Sequence, residues 1–252
     1  MTRTPLIAGN WKMHKTRAEA RAFLEAVRPR DGVDAAVCAP FTALAACLDA
    51  AGRVAVFAQN MHEAPNGAFT GEVSAPMLVE IGVHGVVVGH SERRQYFNET
   101  DRALQHKVPA ALEAGLVPIL CVGETEDERE AGDTERKLRH QVQEGLRDVP
   151  GERLGDVVIA YEPVWAIGTG KVATPEQAQD ALAFCRALVG DRSKEAAERV
   201  RILYGGSMKP DNAGELLALP DCDGGLVGGA SLDPDDFMAI VAAARGDAAH
   251  LL

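Results

Sequence analysis

No stretch of this sequence approaches the ~20 consecutive apolar residues that a membrane helix needs, and the apolar run in the opening MTRTPLIAGNWKMHK is too short for a secretory signal. Positive charge is also scarce: 26 Lys and Arg stand against 37 Asp and Glu, a formal net charge of −11. That balance argues against tracking along nucleic acid or an anionic membrane, and any anionic ligand must be met by local positive groups. The five cysteines, Cys38, Cys47, Cys121, Cys185 and Cys222, are odd in number, dispersed and without a CxxC pair. Neither a disulfide framework nor a structural zinc site is expected from them; buried, small apolar roles are. Cofactor signatures fail one by one. GTGK at 168–171 lacks the Walker spacing, because Trp165 stands where the first glycine belongs and Val172 follows Lys171. The dinucleotide fingerprint breaks at Ala173, and His62-Glu63 is not followed by the second histidine of HExxH. The expectation is a cytoplasmic protein with no metal, no cofactor and no nucleic-acid or membrane partner.

What is present is an ordinary globular composition, 46% hydrophobic and 25% charged over 252 residues, enough for a sizeable core. Short apolar runs recur at roughly 30-residue spacing, each bounded by turn residues and followed by a helical stretch. They are Leu6–Ala8, Ala35–Cys38, Val54–Ala58, Gly85–Val88, Val117–Val122, Val157–Ala160, Ile202–Tyr204 and Gly224–Val227. Helices are expected at Thr16–Val27, Thr42–Ala50, Asp101–Ala114, Gly132–Leu146, Pro175–Val189, Asn212–Leu217 and Pro234–Arg245. Thr174 before Pro175 and Asp233 before Pro234 place a capping side chain ahead of a proline at the first helical position. Eight strands alternating with helices over this length fit a closed (β/α)8 barrel as one domain, residues 1–252, better than the alternative of an open doubly wound sheet. One connection is abnormal. From Gln59 to Pro76 the chain stays polar and rich in glycine and proline, longer than an ordinary βα loop, with Ala68 and Phe69 at its tip. Apolar residues there suggest a loop covered by something, most simply a second subunit.

In such barrels reactive groups lie at the carboxyl ends of the strands. There the sequence places Asn10 and Lys12 after the first strand, His90 and Glu92 after the fourth, Glu162 after the sixth, Gly205, Gly206 and Ser207 after the seventh, and Gly228 and Gly229 after the eighth. Each taken alone has a plain reading. A carboxylate at a strand end is commonly a cap, a lone histidine a structural one, a glycine pair a tight turn, and a lysine a surface charge. Together they form a constellation. The glycine turns can bring successive N–H groups to a phosphate. Lys12 can hold an anion. SERRQYF after His90 reads as the first turn of a short helix, whose positive end would lower the imidazole pKa and favour a neutral donor to a carbonyl oxygen. Glu162, in a low-dielectric pocket, would be a stronger base than in water and could take a proton from carbon beside that carbonyl.

The ordered stretches GNWKM at 9–13, FTGE at 69–72, VVVGHSERR at 86–94, AYEPVWAIGTGK at 160–171, YGGSMKPDN at 204–212 and GLVGGASL at 225–232 carry a resemblance from end to end. The chain resembles the triosephosphate isomerase family. The resemblance implies the TIM barrel and interconversion of dihydroxyacetone phosphate and D-glyceraldehyde 3-phosphate through an enediolate. It implies Glu162 as base, His90 as neutral electrophile, Lys12 as substrate-anchoring cation with Glu92 as its partner, and Asn10 as a polar neighbour. It also implies phosphate-binding groups from Gly168, Ser207, Gly228 and Gly229, and a closing lid at 163–173. Finally it implies a homodimer in which the Gln59–Pro76 loop inserts beside a partner's active site. Met61 and Met208 fall where the family varies. Two other classes share the pattern: a Schiff-base sugar-phosphate aldolase using Lys12, and a barrel that has kept the fold without catalysis.

Overall fold

The computed structural model describes residues 3–29, 31–167 and 171–244. Eight parallel strands close on themselves in sequence order. They are β1 (Leu6–Asn10), β2 (Asp34–Ala39), β3 (Ala55–Ala58), β4 (Gly85–Val88), β5 (Val117–Val122), β6 (Val158–Tyr161), β7 (Arg201–Tyr204) and β8 (Gly224–Val227). Closure runs through β1, which pairs with β2 from Leu6↔Asp34 to Asn10↔Cys38 and with β8 from Leu6↔Gly224 to Gly9↔Val227. The open doubly wound alternative is therefore excluded. Each strand is a short apolar run because both of its faces are buried, one by the barrel interior and one by the helices outside.

The two-residue period of a strand sorts these side chains. Leu6, Ala8, Ala36, Cys38, Val87, Ile119, Cys121, Val158, Ala160, Leu203 and Leu226 fill the interior. Their neighbours in sequence, such as Ile7, Val37, Val86, Leu120, Ile159 and Ile202, belong to the larger core between strands and helices. All five cysteines are buried and free, and burial pushes their thiols up, that of Cys47 to about 11.

The long helices stand close to their expected places: Arg17–Ala26, Asp101–Glu113, Thr134–Gly145, Pro175–Gly190 and Pro234–Ala243. Thr174 accepts from Gln177 N–H in a capping box, and Asp233 accepts from the N–H groups of Asp235 and Asp236. The helix expected to open at Asn212 begins at Pro210, since proline suits a first helical turn. The expected Thr42–Ala50 helix starts as a 3-10 turn, Phe41–Ala43, before the α-helix Leu44–Ala50. Three short helices, Ala75–Glu80, Glu126–Glu130 and Lys194–Arg199, were not visible in the sequence. At five or six residues each, they span too few turns to show a 3.6-residue period. Among the described residues no helix is long and apolar enough to cross a membrane.

The Gln59–Pro76 loop is folded on itself. His62 N–H donates to Val73 O at 2.8 Å, His62 and Ser74 form an isolated parallel bridge, and the Phe69 ring stacks on His62 with centroids 4.0 Å apart. Phe69 nonetheless remains 47% exposed.

Leu120, fully buried on β5, fits against Gly145, where any Cβ would come within 2.8 Å of its Cδ2. Leu120→Ala should empty that contact and lower unfolding free energy by about 2–5 kcal/mol. Urea unfolding followed by circular dichroism measures it; a loss well under 1 kcal/mol would show that the site collapses without cost.

Candidate active site

The inward-facing period of the strands continues past the apolar layers. After Leu6 and Ala8 the next inward position of β1 is Asn10; after Val158 and Ala160 the next beyond β6 is Glu162. On β7 and β8 the equivalent positions are Gly205 and Gly228. Large residues below and mostly glycine above leave a hollow at the carboxyl end of the barrel, and a cavity of roughly 260 Å³ opens there. That volume suits a ligand of a few carbons and not a dinucleotide.

Asn10, Lys12, His90 and Glu162 line this cavity. Ser207, Gly228 and Gly229 line it too, and a Cβ on Gly228 would lie 3.7 Å from Lys12 Cε. A Cβ on Gly229 would meet nothing within 4 Å, so its backbone faces open space. Gly205 is required by close approach, since a Cβ there would lie 2.9 Å from Glu162 Cγ. Glu92 does not line the cavity but reaches it through Lys12, whose Nζ lies 2.6 Å from Glu92 Oε1. Gly168, and with it the centre of the expected lid, lies outside the described residues. The lid's first flank is described: Val164–Ala166 forms a 3-10 turn, and Trp165 Nε1 donates to Glu124 at 2.9 Å.

Glu162 is 2% exposed, and its carboxylate is fully engaged. Oε2 accepts from Ser91 N–H at 2.9 Å, and Oε1 lies 2.9 Å from His90 Nε2. His90 caps the helix Ser91–Phe97, and its Nδ1 accepts from Glu92 N–H at 3.2 Å. An Nδ1 that accepts a hydrogen bond carries no proton, so the ring's proton sits on Nε2 and points at the carboxylate.

Both pKa directions differ from the sequence expectation. Burial disfavours the His90 cation, but the Glu162 carboxylate outweighs it and raises the imidazole pKa; the helix terminus does not decide the sign. Burial alone would raise Glu162, as expected, yet His90, the Ser91 N–H and Lys12 together hold it below the ordinary carboxylate value.

Lys12 is held from three directions. Its backbone is left-handed at φ 51°, an unusual conformation for a residue with a side chain. Asn10 Oδ1 accepts its N–H at 3.1 Å, and Gln59 Nε2 donates to its carbonyl at 2.9 Å and to Cys38 O at 2.8 Å. His90 is fixed through Gly89, whose N–H donates to the buried Glu99 carboxylate and whose carbonyl accepts from Arg94 Nε. Glu99 in turn pairs with the buried Lys107. Gln59, Ser91, Arg94 and Glu99 were assigned no role from the sequence: the partners of Gln59 and Ser91 lie at the ends of distant strands, and those of Glu99 are set by the fold of the segment from Gly89 to Lys107, where no sequence motif includes Glu99.

A family profile described as triosephosphate isomerase matches residues 5–244. The chain is 53% identical over 249 residues to the triosephosphate isomerase of Symbiobacterium thermophilum, covering 96% of this chain and 97% of that protein. It is 54% identical over 246 residues to that of Solibacter usitatus, covering 95% and 99%, and 52% identical over 244 residues to that of Moorella thermoacetica, covering 95% and 98%.

Because Glu162 is depressed, its ionisation stabilises the fold above the unfolded carboxylate pKa, and that contribution disappears as pH falls through the lower folded value. A ¹³C-carboxyl NMR titration should find Glu162 titrating below 4.5, its unperturbed value. His90→Gln should move it upward by removing the largest opposing charge. A Glu162 resonance titrating above 4.5 in the parent would contradict the arrangement.

Proposed function

The chain belongs to the triosephosphate isomerase family, and on that premise we propose that Glu162, His90, Lys12 and Asn10 carry its reaction. The reaction is the interconversion of dihydroxyacetone phosphate and D-glyceraldehyde 3-phosphate. The observation that carries the assignment is the buried Glu162 carboxylate 2.9 Å from His90 Nε2 at the wall of one small cavity that Lys12 also lines.

Substrate replaces the internal contacts of these groups. Its carbonyl oxygen takes the Nε2–H that His90 now gives to Glu162, and the freed carboxylate oxygen turns to the carbon beside that carbonyl. As the C–H bond breaks, its electron pair forms the carbon–carbon double bond and the carbonyl pair moves to oxygen, leaving an enediolate. His90 Nε2–H donates to the developing oxyanion, and the Lys12 ammonium adds positive charge. The enediolate oxygen takes a proton and the hydroxyl on the other carbon gives one up, an exchange that His90 Nε2 is placed to relay; Glu162 then returns its proton to the neighbouring carbon as the second carbonyl forms, so the step needs no redox partner. Asn10 acts on Lys12 by holding its N–H. Glu92 orients the ammonium. The N–H groups of the turns at Ser207, Gly228 and Gly229, with Gly168, receive the phosphate. The pairing of Lys12 with Glu92 suits an ammonium that holds an anion and not an amine that attacks a carbonyl, which weighs against the aldolase reading.

A depressed Glu162 is a weaker base than the sequence suggested, and this has a mechanistic cost and benefit. The carboxylate is ionised throughout the neutral range and so always ready. Its basicity must rise when substrate displaces the His90 and Ser91 donors, because the groups that stabilise the charge are then shared with the ligand while burial remains.

Assembly follows from the surface around the long loop. Met13 is 93% exposed, Tyr96 67%, Phe97 66% and Met77 55%, beside the half-exposed Phe69. Met77 lies with Phe69 against the loop, and exposed apolar groups of this size are a surface suited to a partner. A two-fold copy presenting the same loop covers them in a self-complementary interface. The Lys12–Gln59–Cys38 hydrogen bonds join that loop to the active site, so the cavity's geometry depends on the interface even though one subunit supplies the catalytic groups. Five free buried thiols suit a reducing, cytoplasmic setting.

Glu162→Gln keeps shape and removes the base. We expect kcat to fall at least ~10²-fold with little change in KM, the usual scale of a general-base contribution, in a coupled assay with glyceraldehyde 3-phosphate. Activity within a few-fold of the parent refutes the role. Sedimentation equilibrium at micromolar concentration should give about twice the 26.8 kDa chain mass. Thr70→Arg should weaken the dimer and lower kcat together; a fully active monomer would sink the assembly proposal.

A further inference from the structure

The cavity's charge balance is not settled by Lys12. Glu92 neutralises Lys12 at 2.6 Å, and Glu162 adds a second carboxylate to the wall. A phosphorylated triose entering with its dianion would face negative charge at the site, in a protein that already carries a net −11. Backbone N–H groups supply direction, but no whole charge. A further cation at the cavity wall would offset that charge.

One is present. Lys209 lines the same cavity, two residues beyond Ser207. Its ammonium makes no ion pair with a carboxylate among the described residues. Lys12, Lys107, Lys137 and Lys171 each meet one. The root of the side chain is fixed: Lys209 N–H donates to Asn212 Oδ1 at 2.8 Å, and Asn212 Nδ2 donates to Ser207 O at 3.0 Å. Those two bonds close the turn that leads from Ser207 into the helix Pro210–Leu217, and Met208, 4% exposed, anchors it from below. An exposed ammonium thus stands on a hydrogen-bonded turn at the cavity wall. It has no competing partner to leave when an anion arrives.

We propose that Lys209 is a second phosphate-binding cation, one that tunes affinity and selectivity for phosphorylated over unphosphorylated trioses. The inference rests on the isomerase reading of the site. Lys209 follows Ser207 by two residues in the turn assigned to the phosphate, so it would contribute to binding that ground state and transition state share. Such a contribution appears in KM and not in kcat. Its position at the exposed rim makes the effect modest and sensitive to screening.

The test compares the full-length parent with Lys209→Met and Lys209→Arg. At low ionic strength Lys209→Met should raise KM for glyceraldehyde 3-phosphate about two- to fivefold, the scale of an exposed ion pair, with kcat nearly unchanged. The difference should shrink toward unity as salt rises to about 0.5 M, where the screening length is only a few ångströms. Lys209→Arg should restore the parental KM, and phosphate-free D-glyceraldehyde should lose far less than the phosphorylated substrate. An unchanged KM for Lys209→Met at low salt overturns the proposal and leaves a solvated surface charge. An equal loss on both substrates, or a fall in kcat without a KM change, overturns it in favour of a structural role in the turn. A parent that does not isomerise glyceraldehyde 3-phosphate would sink the isomerase reading instead. In that case titration calorimetry with inorganic phosphate still decides for Lys209: weaker binding by Lys209→Met supports it, and equal binding overturns it.

Discussion

Everything at the site depends on closure of the sheet. A closed ring of parallel strands directs every second side chain toward one axis, and all the carboxyl ends emerge at the same mouth. Below, those inward positions are apolar and packed. Above, glycine replaces bulk and leaves a hollow into which Asn10 and Glu162 project. Buried charge is tolerable there because the strand ends also deliver unpaired backbone N–H groups, of which Ser91 N–H on Glu162 is the clearest case.

The second constraint is electrostatic. Glu162 is buried deeply enough that it must have partners, and it takes both from a single turn, His90–Ser91. Those partners are the groups a substrate competes for. Under the proposed reaction, the pairing keeps base and donor in place for each other until a ligand exchanges for it. A buried pair of this kind is costly to break by mutation and easy to exchange for an equivalent ligand, which is what a reaction cycle requires.

Support for this pair is distributed. The Lys12 backbone is held by Asn10 and Gln59, His90 through Gly89 by Glu99 and Arg94, and Trp165 beside the lid by Glu124, which also accepts from Tyr161 OH. Several of these supports reach outward to the Gln59–Pro76 loop or to the helix Ser91–Phe97, whose Tyr96 and Phe97 are exposed. Gln59 and Arg94 thus tie the loop and the helix to the residues around the cavity.

The sequence by itself determined the barrel, its strand positions to within about two residues, the longer helices and the strand-end residues that share the cavity, because these follow from apolar periodicity, capping residues and chain order. It did not determine the five- and six-residue helices, which are too short to carry a period, nor the self-bonded form of the Gln59–Pro76 loop. Above all it misjudged the electrostatics. From local sequence His90 reads as depressed by a helix terminus and Glu162 as raised by burial; the fold reverses both by setting the two side chains 2.9 Å apart. Coulomb interaction at that range outweighs a helix end, and only tertiary structure brings residues 90 and 162 together. The same reason hides Gln59 as a support and Lys209 as a cation without a carboxylate partner among the described residues: a side chain's partners, and its lack of them, are set by distances across the chain that local sequence does not encode.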